Sequence, residues 1–110
     1  EAGEDQDKIG EHDTAGIHMP AARWLVEEKG AMMIGSDTSG LEQMATPPAG
    51  SDSFMPVHNY LLIEQGVHIA EFHYLEELAA EEVYEFTYIA TTNKIRGTTA
   101  GFTMRPLAIY

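Results

Sequence analysis

Read for the period of its apolar positions, the chain breaks into short helical and strand-like stretches joined by polar or glycine-bearing turns. Gly16-Ile17-His18-Met19-Pro20 reads as a turn into a helix, PAARWLVEEKG, with Pro20 near its first position and Gly30 closing it. Ala21, Trp24, Leu25 and Glu28 recur there at helical spacing, which predicts that Trp24 and Leu25 face the core. Ala31-Met32-Met33-Ile34-Gly35 is a short apolar run after a glycine, the pattern of a buried strand, and Ser36-Asp37-Thr38-Ser39-Gly40 is its polar terminal loop. The segment 41–55 is rich in Met, Ser, Pro and Gly and shows no period. It predicts a long loop: either a lid, with Met44, Phe54 and Met55 leaning over a pocket, or a plain surface excursion.

The central stretch is PVHNYLLIEQGVHIAEFHYLE, residues 56–76. Pro56 suits the first position of a helix, because the N–H it lacks is one the first turn could not have satisfied. Leu61, Leu62 and Gln65 carry that helix to Gly66, a left-handed stop. Val67, Ile69 and Glu71 follow with the two-residue period of a strand. A helix–turn–strand unit of this kind brings His58, in the first helical turn, and Glu71, at the far end of the strand, to one edge of a sheet. Beyond it, Tyr74–Glu82 predicts a short acidic helix or pair of turns whose glutamates form a solvated face. Tyr84–Ala90 alternates as a strand, and Phe102–Tyr110 reads as a last strand that Pro106 restricts to a sheet edge.

Composition narrows the chemistry. In 110 residues there is room for one core. The formal charge of −12 opposes nucleic acid and anionic membrane as partners. No apolar run approaches the ~20 residues needed to span a bilayer. With no cysteine, disulfides and thiolate zinc sites are excluded, which fits a reducing compartment such as the cytoplasm. Any metal would have to be held by imidazole and carboxylate. Residues 1–15 form a polar, acidic lead with little to bury; the first residue is Glu1, and the chain is expected to begin within a longer protein.

His58 and Glu71 are the candidate metal ligands, although their separation matches no helix-borne HExxH motif. A carboxylate among apolar strand residues is costly to bury without a cation or hydrogen-bond donors, which draws attention to Glu71. His68 reads as a strand residue facing solvent. His73, two residues beyond Glu71, either touches substrate or packs. Neither His12 nor His18 is given a role. There is no GxSxG elbow, Walker loop, dinucleotide fingerprint or CxxC. Two ligands do not complete a catalytic metal site, which takes three or more protein donors and an open position.

The order GIHMPAARWLVEEKGAMMIGSDTSGLE, then PVHNYLLIEQGVHIAEFHYLEELA, then EFTYIATTNKIRGTTAGFTMRPLAIY resembles the C-terminal half of the cyclase-like metal-dependent hydrolases. That family includes bacterial kynurenine formamidase and isatin hydrolase. The likeness runs from Gly16 to the end. AARWLVEEKG and MIGSDTSG stand where the family has a helix and a G-I-D-T-x-S loop, with Ser36 in place of the usual isoleucine. The family's metal-binding histidine before a Leu-Leu pair maps onto His58, ahead of Leu61-Leu62. Its metal-binding glutamate in an E-N-L motif maps onto Glu71, followed here by Phe72-His73, with one extra residue before Gly66. Asn93–Gly97 and Met104–Leu107 resemble the family's closing strand. The most specific family signature, H-x-G-T-H-x-D-x-P-x-H, is absent from these residues, and the spacings around His12 and His18 do not replace it.

The resemblance implies an α/β fold of the swivelling β/β/α type, with residues 16–110 forming the C-terminal portion of one domain. It implies a hydrolase acting on an amide, lactam or related carbonyl bond, using Zn²⁺ or Mn²⁺ held in part by His58 and Glu71. Phe72 and His73 would line the pocket. The implied partners are a small-molecule substrate, an N-terminal half or companion chain carrying the missing ligands and the general acid/base, and further copies in a homo-oligomer. The contrasting expectation is a non-catalytic fragment or acidic interaction domain that keeps the fold without the chemistry.

Overall fold

The computed structural model describes residue 7 and residues 14–43, 53–98 and 101–110. It is a mixed α/β structure of short helices and two small sheets, divided into two compact units, Glu1–Tyr74 and Leu75–Tyr110.

In Glu1–Tyr74, helix α1 spans Met19–Arg23, has Pro20 in its first turn, and continues into a wider π-type turn, Trp24–Glu28. Its inward stripe is Met19, Ala22, Leu25 and Val26 rather than the pair predicted from spacing. Leu25 packs against the core, but Trp24 is 53% exposed, with the Lys29 ammonium 4.8 Å from its ring. The correction has a geometric cause: once Ala22 points inward, Trp24 lies roughly 200° around the helix from it, given ~100° per residue.

Strand β1, Met33–Gly35, is buried on one face only: Ile34 is covered, whereas Met32 and Met33 are exposed, so the expected buried strand is corrected to a half-buried one. Helix α2 begins at Pro56–His58, with proline in its first turn, and runs on as π-type helix through Asn59–Gln65. Gly66 ends it at φ 66°, in the left-handed region the sequence anticipated. Strand β2, His68–Ala70, then pairs parallel to β1 in the register Met33↔His68, Ile34↔Ile69, Gly35↔Ala70. Helix α2 is thus the crossover that two parallel strands require. Past the strands, His73 N–H bonds Ser36 O and Phe72 N–H bonds Thr38 O, which keeps the two chains together into the loops.

Ala22, Ile34, Leu41, Val57, Tyr60, Leu61 and Val67 form the core of this unit. Leu41 and the adjacent Glu42 are buried, so the start of the segment expected to be loop is anchored instead. The anchor is a parallel bridge in which Ile17 N–H bonds Leu41 O and Gln43 N–H bonds Ile17 O. Gly16 makes it possible, since a Cβ there would stand 2.4 Å from Gln43 N and from the Glu42 carbonyl carbon. Tyr60 ties α2 to α1, donating its hydroxyl to Glu27 at 2.9 Å beneath the Arg23 guanidinium.

In Leu75–Tyr110, helix α3 is Glu76–Ala80, and strands β3, Thr87–Ile89, and β4, Leu107–Ile109, pair antiparallel with Tyr88 opposite Ala108. Both strands are shorter than their alternation predicted. Tyr110 donates its hydroxyl to Glu81. No described residue of this unit is buried. Among the described residues of the chain, no helix is long and apolar enough to cross a membrane.

Candidate metal centre

The start of α2 and the ends of the parallel strands meet at three side chains: Glu42, His58 and Glu71. Pro56, Val57 and His58 supply the first turn of α2, whose N–H groups have no partners within the helix. Pro56 has no N–H to satisfy. Glu42 takes the other two, with Val57 N–H on Oε1 at 3.3 Å and His58 N–H on Oε2 at 2.9 Å. The same Oε2 lies 2.6 Å from His58 Nδ1. Glu42 is 3% exposed, so a carboxylate that would be costly to bury alone is surrounded by donors.

On the other side of the ring, His58 Nε2 lies 3.4 Å from Glu71 Oε1, which also accepts Leu41 N–H at 3.1 Å. If the ring carries its single proton on Nδ1 toward Glu42, Nε2 presents a lone pair to a carboxylate oxygen; a ring protonated on both nitrogens would instead donate to both glutamates. In the first case two acceptors face one another, an arrangement with room for a cation between them. A charge-assisted N–H···O bond runs to about 2.7–2.9 Å, shorter than this contact. Two donors each about 2.0–2.2 Å from a tetrahedral ion stand about 3.3–3.6 Å apart, which the pair matches. The 3.4 Å spacing of His58 and Glu71 is therefore compatible with two positions of a tetrahedral zinc sphere. They fit as part of a site only, because among the described residues no group of three or more metal-binding side chains could hold an ion.

The sequence placed His58 and Glu71 together, and so does the structure. Phe72, next to Glu71, is 58% exposed and takes φ 58°, a left-handed conformation unusual for a bulky residue. His73 is half-buried, its Nδ1 3.3 Å from Ser36 O and its ring 3.0 Å from where a Cβ on Gly35 would lie. Phe72 and His73 thus flank the Glu71 end of the sheet. Of the residues proposed to lean over a pocket, Met44 lies outside the described residues and Phe54 is 70% exposed. His12 also lies outside the described residues, and His18 and His68 are exposed.

An open cleft of about 430 Å³ lies between Val26, Gly30, Met32, Gln65, Val67 and His68. It sits at the starts of β1 and β2, the opposite end of the strands from His58 and Glu71, and contains neither ligand candidate.

Glu42 went unassigned in the sequence. It lies in a stretch without period, and its contact depends on the bridge to Ile17; the available signal was an acidic residue beside Leu41 just after the Ser36–Gly40 loop. Compared with protein-family models, curated proteins and solved structures, the chain matches none.

Proposed function

We propose that the chain is part of a metal-dependent hydrolase of the cyclase type, with the swivelling β/β/α fold, acting on an amide, lactam or related carbonyl bond. The observation that carries this reading is the 3.4 Å approach of His58 Nε2 to Glu71 Oε1 with the opposite ring nitrogen 2.6 Å from Glu42 Oε2. The motif resemblance supports it by mapping the family's histidine and glutamate ligands onto these two residues. His58 would offer its Nε2 lone pair and Glu71 its carboxylate to Zn²⁺ or Mn²⁺. When bound, such an ion supplies Lewis-acid polarisation of a carbonyl and a water of lowered pKa. Phe72 and His73, beside Glu71, would contact the substrate. The remaining ligands and the general acid/base would come from a segment or companion chain carrying the H-x-G-T-H-x-D-x-P-x-H signature.

The test is replacement of each ligand in the full-length protein. His58→Ala or Glu71→Ala is expected to remove bound metal and to lower hydrolysis of an amide and lactam panel by at least about 100-fold, given the several kcal/mol an ion contributes. Unchanged metal content and unchanged hydrolysis would contradict the proposal. A second reading, a non-catalytic piece that keeps the fold, is favoured by the lack of a third ligand among the described residues. Stoichiometric metal on this chain alone, with activity to match, would exclude it.

A further inference from the structure

We infer that Glu42 is a positioning residue that holds the His58 imidazole with its proton on Nδ1, so that Nε2 is the nitrogen presented toward Glu71. One buried carboxylate makes three contacts at the start of α2. All three groups facing it are donors or take that role: Val57 N–H, His58 N–H and His58 Nδ1. The shortest of the three, at 2.6 Å, goes to the ring and not to the backbone. A helix cap needs only the two amides; the ring contact is additional to capping, and a carboxylate bonding a histidine's outer nitrogen is how ligand tautomer and ring orientation are set at metal sites.

Glu42 is itself fixed from behind. The Ile17 bridge holds the backbone on either side of it, and Gly16 packs against its carbonyl. A glutamine cannot replace it without conflict. With the amide oxygen toward His58, the NH₂ group faces Val57 N–H; turned over, NH₂ faces His58 N–H and favours an unprotonated Nδ1. The second arrangement moves the ring proton to Nε2 and blocks the face toward Glu71.

The tautomer claim stands without a metal; its effect on affinity rests on the metal-site reading above. The experiment is ring ¹⁵N spectroscopy of His58 in the zinc-free full-length protein at alkaline pH, together with Zn²⁺ titration against a chromophoric chelator, for the native protein and Glu42→Gln. The expected result is a proton on Nδ1 in the native protein, a shift toward Nε2–H in Glu42→Gln, and Zn²⁺ affinity lowered about 10- to 100-fold. A native His58 protonated on Nε2 overturns the inference. So does a Glu42→Gln protein that melts earlier yet keeps both tautomer and Zn²⁺ affinity, since that is a cap and nothing more. If Glu42→Gln fails to fold, the native spectrum decides alone. Nδ1–H in a native protein that takes up no Zn²⁺ supports the positioning role and refutes the metal reading. Equal Zn²⁺ affinity and an unchanged tautomer in the two proteins do the reverse.

Discussion

In Glu1–Tyr74, two helices and two parallel strands converge on a core in which Ala22 and Leu61 are fully covered; in Leu75–Tyr110, with a five-residue helix and a two-stranded antiparallel ribbon, no described residue is buried. Both are rich in apolar residues. What separates them is the crossover: α2, running between β1 and β2, has strands and a second helix to pack on, whereas Ile89, Leu107 and Ile109 stay at least 41% exposed on a ribbon of a kind that is marginal alone. The contrast also bears on the proposed site. A buried Glu42 can fix His58 only where the surrounding backbone is held, and that condition is met in Glu1–Tyr74.

The sharpest way to break the comparison is to truncate one apolar side chain in each unit. Leu61→Ala should cost about 2–5 kcal/mol in denaturant unfolding. Ile109→Ala should stay within about 0.5 kcal/mol. A large loss at Ile109 would mean that its face is covered, and the contrast between the units would fall.

Next in size is the close approach at Gly16. Gly16→Ala places a methyl group against the backbone of Glu42 and Gln43 and should cost about 1–3 kcal/mol. The loss should be accompanied by faster amide exchange at Ile17 and Gln43, the two donors of the bridge.

The smallest effect is electrostatic and depends on pH. Burial, then the hydrogen bond to Glu27, raises the Tyr60 phenol above its ordinary value near 10. The folded state therefore holds that proton more tightly than the unfolded state. Its contribution is complete below about pH 10 and disappears as the pH rises through the folded value. Tyr60→Phe should flatten the alkaline decline in stability of Glu1–Tyr74. An unchanged alkaline limb would show that Tyr60 is not what titrates there.

Much of the central unit was legible because its punctuation is local. Pro56 marks a helix start, Gly66 a left-handed stop, and the apolar residues between and after them fix α2 and β2. His58 and Glu71 follow from that punctuation as neighbours in space. Glu42 does not, because its burial depends on a bridge between residues 25 apart in the chain, Ile17 and Glu42. Trp24 was misplaced because Ala22, too small to dominate a hydrophobic pattern, sets the inward face of α1. The strands of the second unit were overextended, since alternation in Tyr84–Ala90 persists beyond the three residues that find a partner.

The account turns on whether one ion lies between His58 and Glu71. An anomalous difference map at the zinc edge, from crystals of the full-length protein grown with Zn²⁺, measures this directly. A peak about 2.0–2.2 Å from both His58 Nε2 and a Glu71 carboxylate oxygen is the predicted result. A map with no peak there, and with His58 Nε2 and the Glu71 carboxylate drawn together to direct hydrogen-bond distance, would contradict it.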